Sequence, residues 1–277
     1  MKKYKLRKTD TIKIYGTTLY RIEALKNFEY IKKGDLGGFI EKTDNLSQEG
    51  NCWVYEDVKI FGNAKVYGNA KVFENTKVYG NARIFGDAKI FGNVEVYGYA
   101  EIYDNAQVYH NAKIYGNARI YGNSKVYGNS KVYGNARIYN NARIYGNTRI
   151  YSDARIYDNA RIYGNARIYG NAEVYGYAEI YDNTKVYGNV EVCSDAEVSG
   201  DAEITKTKDY IVFKNWWSSG RCFTFTRSNK KWKVGCFYGS GKELIKKAYK
   251  DSEISGREYE RVVKYVDEIL KQKKNKD

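Results

Sequence analysis

The stretch Ile162-Tyr163-Gly164-Asn165-Ala166-Arg167 is one of 25 hexapeptides that follow one another without insertion or deletion from residue 54 to residue 203. The first position is Val or Ile in all 25, and the fifth is Ala, Ser, Thr or Val in all 25. The fourth position is Asn or Asp in 23, and the second is Tyr or Phe in 23. A period of six fits neither an amphipathic helix nor a plain strand, so it predicts a short strand followed by a corner.

The alternation within each hexapeptide predicts which side chains point inward. In the segment Ala-Arg-Ile-Tyr, the Ala and Ile side chains share one face of a strand while the Arg and Tyr side chains share the other. Gly-Asn supplies the corner, because both residues tolerate a positive φ. Three strands and three corners then close one coil of 18 residues. With a rise of about 4.8 Å per coil, roughly 8 coils form a rod about 40 Å long.

This repeat resembles the hexapeptide family that forms left-handed β-helices, in which a small residue follows an aliphatic residue four positions later. The resemblance implies a mainly β fold, a left-handed parallel β-helix. The handedness comes from that resemblance and not from the spacing. One departure is that the family usually has Gly or another small residue where this chain has Tyr.

The N-terminal segment carries a more specific resemblance. Residues 34–41 (GDLGGFIE) and 46–55 (LSQEGNCWVY) resemble the start of YdcK-like proteins, described as acyltransferases on the strength of their fold, and of phage-encoded hypothetical proteins. The resemblance implies that this segment caps the first coil. We therefore expect an N-terminal cap at residues 1–47, a β-helix at 48–204 and a small α+β module at 205–277.

The C-terminal module has the pattern of strands followed by helices. Residues 210–213, 221–226 and 231–238 are predicted strands, and capping boxes at Ser240 and Ser255 predict the starts of two helices. Aromatic and basic residues mix here as in surfaces that bind single-stranded nucleic acid or a peptide, although aromatics in a small domain more often form its core. The recognition candidates are Trp216, Trp217, Arg221, Arg227, Lys231 and Trp232.

The sixth position points outward and is basic in ten successive hexapeptides, after which acidic residues dominate toward residue 203. One interpretation is a surface that binds polyanions through phosphate pairing and stacking on Tyr. The other is that Arg and Tyr ladders stabilise each other. Successive hexapeptides fall on successive sides, so the basic residues are predicted to spread over three faces. They are Lys113, Arg119, Lys125, Lys131, Arg137, Arg143, Arg149, Arg155, Arg161 and Arg167.

A catalytic site has little support in the sequence. Hexapeptide acyltransferases, as a family, use a His near a cleft between subunits, and the single His of this chain is His110, at a corner position. No loop interrupts the repeat to form a pocket, and no carboxylate neighbours His110 in sequence. The corner Asn and Asp residues are explained as turn formers, so we predict no metal site and no cofactor.

Composition narrows the function without deciding it. The chain has 277 residues and a net charge of +14, which favours anionic partners. It has no apolar run of membrane-spanning length, and its four cysteines match no zinc pattern, so we expect a cytoplasmic protein with reduced thiols. The first hypothesis is a non-catalytic binding scaffold, phage-encoded by resemblance, whose partner is a nucleic acid or a host protein, including a host-defence component. The alternatives are an acyltransferase using His110 and a self-assembling structural protein, and the family resemblance implies a homotrimer.

Overall fold

The 25 hexapeptides form a parallel β-solenoid, as predicted, and together with the segment before them they make about nine turns, one more than the eight or so expected. The computed structural model describes residues 2–274 and the side chains of residues 2–271. Within the repeat, neighbouring strands of a sheet pair in parallel and lie 18 residues apart, for example Arg149 with Arg167. One turn is therefore three hexapeptides, and successive strands build three separate sheets, which we call faces 1, 2 and 3.

The strands of the solenoid are mostly two residues long. Face 1 contains β3 (Leu36–Ile40), β5 (Lys59–Ile60), β8 (Lys77–Val78), β11 (Glu95–Val96), β14 (Lys113–Ile114), β17 (Lys131–Val132), β20 (Arg149–Ile150), β23 (Arg167–Ile168), β26 (Lys185–Val186) and β29 (Glu203–Ile204). Face 2 contains β4 (Trp53–Val54), β7 (Lys71–Val72), β10 (Lys89–Gly92), β13 (Gln107–His110), β16 (Lys125–Val126), β19 (Arg143–Ile144), β22 (Arg161–Ile162), β25 (Glu179–Ile180) and β28 (Glu197–Val198). Face 3 contains β6 (Lys65–Val66), β9 (Arg83–Ile84), β12 (Glu101–Ile102), β15 (Arg119–Ile120), β18 (Arg137–Ile138), β21 (Arg155–Ile156), β24 (Glu173–Val174) and β27 (Glu191–Val192).

The interior of the rod is a single apolar column made by the first and fifth positions. The Val and Ile side chains of the first position are buried throughout, and each contributes about 1.5–3 kcal/mol by leaving water. Five fifth positions carry a hydroxyl instead of a methyl group. These hydroxyls are satisfied inside the rod, since Thr148 donates to Ser130 over 2.9 Å and Ser130 donates to a backbone carbonyl over 2.7 Å.

The corners differ from the prediction in one respect. The third position of every hexapeptide has a positive φ, including the nine that are not Gly, such as Asn140 and Asp158. The fourth position does not, so the expectation that Asn shares the left-handed conformation is wrong. The fourth-position amides instead bond along the rod: Asn111 donates to Asn129 over 3.1 Å, and Asn129 donates to Asn147 over 3.0 Å. Asn is favoured there because its side chain both donates and accepts.

The N-terminal segment begins the solenoid as well as capping it. Strands β1 (Tyr4–Ile14) and β2 (Thr17–Ala24) form an antiparallel hairpin beside β3, which already pairs in parallel with β5. Leu46 bridges to Val66 on face 3. The first turn therefore lies within residues 36–54, and the boundary predicted between residues 47 and 48 passes through it.

Two buried side chains close this first turn. The Tyr4 hydroxyl donates to the carbonyls of Thr43 and Leu46, over 2.9 and 2.6 Å. The Lys3 ammonium donates to the carbonyls of Glu49, Gly50 and Cys52, over 3.2, 3.3 and 2.9 Å. Backbone carbonyls at the end of a sheet need donors, and here the side chains preceding β2 provide them. Burial lowers the pKa of Lys3 despite these partners.

The C-terminal module is a four-stranded antiparallel sheet with two helices. Its elements are β30 (Tyr210–Lys214), β31 (Cys222–Thr226), β32 (Lys231–Val234), β33 (Phe237–Gly239), α1 (Gly241–Asp251) and α2 (Glu253–Lys274). The predicted strand 231–238 is interrupted, because Gly235 takes a φ of 52° and turns the chain between β32 and β33. No helix in residues 2–274 combines the length and the apolar character needed to cross a membrane.

Of the two predicted helix starts, the first is confirmed and the second is wrong. Ser240 caps α1, and its hydroxyl accepts from the backbone N–H of Glu243, as the capping box predicts. The prediction that α2 begins at Ser255 is wrong. The Ser252 hydroxyl accepts from the N–H of Ser255 over 3.1 Å, so α2 starts at Glu253, and the second capping-box sequence lies inside the helix.

Candidate polyanion-binding surface

The ten basic sixth-position residues lie on all three faces, as predicted, but not in equal rows. On face 1, Lys113, Lys131, Arg149, Arg167 and Lys185 occupy five consecutive strands. Faces 2 and 3 have at most three consecutive basic strands in this region. Neighbouring strands of a sheet are about 4.8 Å apart, so the face 1 row extends for roughly 20 Å. We call these five residues the face 1 row.

Ion pairs separate the ten candidates into two groups. Four of them contact a glutamate one turn away: Lys113 contacts Glu95 over 3.0 Å, and Arg155 contacts Glu173 over 2.9 Å. Arg119 and Arg161 contact glutamates in the same way, over 3.2 and 3.1 Å. The other six form no ion pair within the described part of the chain. They are Lys125, Lys131, Arg137, Arg143, Arg149 and Arg167.

The unpaired charges are concentrated in the face 1 row. Lys131, Arg149 and Arg167 follow one another there without a carboxylate partner, while Lys113 and Lys185 at its two ends are paired. Like charges on adjacent strands repel each other, so three unpaired cations in a row destabilise the solenoid when no ligand is bound. An anionic ligand lying along face 1 would remove this repulsion.

The aromatic ladders beside these rows are closed to stacking ligands. Rings of the second position stack on the ring one turn away, with centroids 4.2–5.4 Å apart and planes within 13° in all but one ladder pair. The exception is Tyr145 and Tyr163, which meet at 67°. In the ladder of face 1 every neighbouring pair from Tyr115 to Tyr187 is stacked, so bases cannot stack between these rings, and the stacking half of the nucleic-acid interpretation does not fit this face.

Ring edges and hydroxyl groups therefore form the outer surface of the ladders. Burial between neighbours raises the pKa of Tyr79 to about 12, so these hydroxyls remain neutral donors at physiological pH. Toward the C-terminal end several of them donate to glutamates, as Tyr163 does to Glu179 over 3.0 Å and Tyr175 to Glu191 over 2.9 Å. Around the face 1 row no such glutamate is paired with Tyr133 or Tyr151 in the described chain.

His110 occupies an ordinary corner. It has a φ of 66°, its side chain is exposed, and it lies one turn beyond Gly92 in face 2. Within residues 2–271 its ring has no hydrogen-bond partner, and no group of His, Cys, Asp and Glu residues is arranged to hold a metal ion. The geometry offers no group that would orient His110 as a base.

The six C-terminal recognition candidates do not form one surface. Trp232 is only 2% exposed and belongs to the core under α1 and α2, so it is not available as a contact residue. Trp217 is half-buried and packs edge-on against Tyr259, with ring centroids 4.9 Å apart. Trp216 is 73% exposed. Arg221 is exposed, Arg227 is half-buried, and the Lys231 ammonium lies 6.0 Å from the ring centre of Tyr238.

Sequence reasoning missed that the module closes the end of the solenoid. One hydroxyl of the module reaches the last strand of each face. On face 3, Tyr210 accepts from the N–H of Cys193 (3.4 Å) and donates to the carbonyl of Glu191 (3.1 Å). On face 2, Thr224 accepts from Glu197 N–H over 2.9 Å. On face 1, Ser228 accepts from Glu203 N–H over 2.8 Å.

Comparison with known proteins agrees with this fold. Residues 112–128, 130–146, 136–152 and 154–166 match the family model described as the YdcK Beta solenoid repeat. The matched part of the chain is similar to this repeat family. The matched segments include three of the five residues of the face 1 row, Lys113, Lys131 and Arg149, and they lie C-terminal to the segment 34–55 on which the sequence resemblance was most specific. No curated protein matches the chain.

Proposed function

We propose that this chain is a non-catalytic scaffold that binds a linear polyanion, the phosphate backbone of a nucleic acid being the model case, along face 1 of the solenoid. The observation that carries the proposal is the uninterrupted face 1 row, whose three central side chains have no carboxylate partner in the described chain. A rigid row of cations fits a polymer with repeated negative charge better than a small anion.

The expected recognition is electrostatic and independent of sequence. The Tyr rings between Tyr115 and Tyr187 on face 1 are stacked on one another, so bases contribute little there through stacking. Lys and Arg side chains contact phosphates, and each contact releases about 0.7–0.9 of a counterion, which makes the affinity fall steeply with salt. Arg149 and Arg167 can each engage a phosphate through two N–H groups, whereas Lys131 acts as a point charge.

The test compares two variants that lose the same charge. K131Q/R149Q removes two unpaired cations from face 1, and K125Q/R143Q removes two unpaired cations from face 2. Binding of labelled single-stranded and duplex DNA is measured by fluorescence anisotropy at several salt concentrations. We expect the face 1 variant to bind roughly 5–10-fold more weakly, with a salt slope lower by about 1.4–1.8, and the face 2 variant to stay near wild type.

Two results would reject the proposal. If the wild-type protein binds neither single-stranded nor duplex DNA at low salt, the Arg and Tyr ladders only stabilise the fold. Equal losses in the two variants would mean that net charge, and not a row on face 1, attracts the polymer. Circular dichroism checks that both variants keep the fold, which we expect because all four side chains point away from the core.

A further inference from the structure

Most of the net positive charge of this protein lies outside the solenoid. Residues 205–277 contain 19 Lys and Arg against 9 Asp and Glu, whereas residues 1–204 contain 28 against 24. The module therefore carries +10 of the net +14. Few of these basic residues lie in the sheet of the module, whose strands contain only Lys214, Lys231 and Lys233 and pack on α1 and α2 on one side and on the last turn of the solenoid on the other.

Helix α1 displays three lysines in a line. Lys242, Lys246 and Lys250 are spaced at i, i+4 and i+8, so they follow one face of the helix, and all three are exposed. The opposite face is fixed by Leu244 and Ala248, each 3% exposed, which pack into the core of the module. Like charges four residues apart destabilise a helix, and this row has two such pairs.

The basic residues of helix α2 up to residue 264, unlike the three lysines of α1, are paired with carboxylates. Each of its basic residues with a described side chain up to residue 264 pairs with a glutamate three or four residues earlier: Arg257 with Glu253, Arg261 with Glu258, and Lys264 with Glu260. The three lysines of α1 have no such partner in the described chain.

The glutamate of α1 is bonded to the helix cap. Glu243 accepts from the backbone N–H and the hydroxyl of Ser240, over 2.7 and 2.8 Å. These bonds, with a smaller effect from Lys231, lower the pKa of the Glu243 carboxyl. The helix cap thus removes the one glutamate that could have neutralised Lys242 or Lys246, and the lysine row stays open to an external anion.

We propose that the lysine row of α1 is a second contact surface for the phosphate backbone of a nucleic acid. This inference rests on the proposed function for the chemistry of the ligand but uses different residues. On face 1 the last strand, which carries Glu203 and bonds to Ser228 of the module, forms an acidic band between the face 1 row and the module. A nucleic acid long enough to pass this acidic band engages both surfaces, and the second contact then benefits from a high effective concentration.

The test again uses variants matched in charge. K242Q/K246Q/K250Q removes three unpaired cations from α1, and R257Q/R261Q/K264Q removes three paired cations from α2 in the same module. The probe is a labelled 20-base-pair duplex DNA, titrated with the full-length protein at several salt concentrations. We expect the α1 variant to bind at least fivefold more weakly with a salt slope lower by about 2–3, and the α2 variant to stay within about twofold of wild type.

A stability measurement excludes a structural explanation. Because the α1 substitutions relieve like-charge repulsion, the thermal midpoint of that variant should equal or exceed that of wild type while its DNA affinity falls. A lower midpoint with the same loss of binding would indicate a damaged module and overturn the inference.

The remaining outcomes separate this inference from the proposed function. If K131Q/R149Q binds normally and the α1 variant does not, α1 is the contact surface and the role of face 1 fails. If the α1 variant binds like wild type, or both charge-matched variants lose affinity equally, the lysine row is not a specific surface. If the protein binds phosphatidylserine vesicles more tightly than DNA, with the same dependence on α1, the ligand is a membrane surface and the nucleic-acid assignment is wrong.

Discussion

At the scale of single residues, the third position of the hexapeptide determines where the rod turns. Sixteen of the 25 third positions are Gly, for which a positive φ has no steric penalty. At the nine others an L-residue holds the same conformation, which costs on the order of 1–2 kcal/mol. His110 is one of these nine, with a φ of 66°. The corner thus explains the positive φ of His110, and its side chain has no hydrogen-bond partner in residues 2–271.

The corner explanation of His110 makes a prediction about stability. We expect His110→Gly to raise the free energy of unfolding by about 0.5–1 kcal/mol, because relief of the left-handed strain exceeds the extra flexibility that Gly gives the unfolded chain. Urea unfolding of the variant and of wild type measures the difference. A clear loss of stability would mean that the His110 side chain makes a contact that the corner explanation leaves out.

At the scale of secondary-structure elements, the sheet of the C-terminal module has two different sides because side chains alternate along each strand. Ile211, Phe213, Phe223 and Phe225 face the helices, while Tyr210, Val212 and Thr224 face the solenoid. Strand β31 shows the division within five residues, CFTFT. Its phenylalanines form the core and its first Thr satisfies a backbone N–H that would otherwise be unpaired at the end of a sheet.

Thr224 tests this capping role. We expect Thr224→Val to lower the free energy of unfolding by about 1–2 kcal/mol, since the Glu197 N–H would lose its acceptor while remaining covered by the module. Hydrogen exchange should show faster exchange of the Glu197 amide in this variant.

The matched control is Thr226→Val, two residues along the same strand. The Thr226 hydroxyl bonds to Asn229 inside the hairpin and makes no hydrogen bond to the solenoid in the described structure. Exchange at Glu197 should therefore be unchanged in this control. If both variants expose the Glu197 amide equally, general loosening of the module and not loss of one hydrogen bond is responsible.

At the scale of the whole molecule, charge is arranged in layers along the rod. A basic middle is followed by acidic last turns, and the basic module covers those turns. Burial under the module raises the pKa of Glu197, while Lys233, whose ammonium is 3.9 Å away, acts in the opposite direction. A carboxyl whose folded pKa lies above the unfolded value of 4.5 stabilises the fold most when it is protonated.

This layering predicts a pH-dependent effect of one substitution. Relative to wild type, Glu197→Gln should be stabilising at pH 7 and close to neutral at pH 4, because the stabilisation from the protonated carboxyl disappears as pH rises above 4.5 through the raised pKa. Urea unfolding at both pH values measures the difference, and comparison at each pH cancels the other carboxyl groups. A variant that is less stable than wild type at pH 7 would show that attraction to Lys233 outweighs burial.

The sequence by itself determined the solenoid and the residues that point out of it. A six-residue period repeated 25 times requires only local rules, an inward aliphatic residue and a corner, so each hexapeptide predicts the same structure independently. The 18-residue turn, the buried column and the spread of the ten basic residues over three faces followed from that period. The left-handed sense of the solenoid remains an expectation from the family resemblance.

Only the tertiary structure decided which charges are free and how the two ends are closed. Lys113 and Lys131 have the same position in the repeat, yet one meets a glutamate 18 residues earlier and the other meets a lysine, Lys113 itself, so pairing depends on which residues share a face. The caps depend on contacts between residues at least 17 positions apart, such as Tyr210 with Cys193 and Thr224 with Glu197, in segments that have no common pattern. Local periodicity carries no information about such contacts, because they form only after the unpaired edges of the rod and the polar side of the module meet.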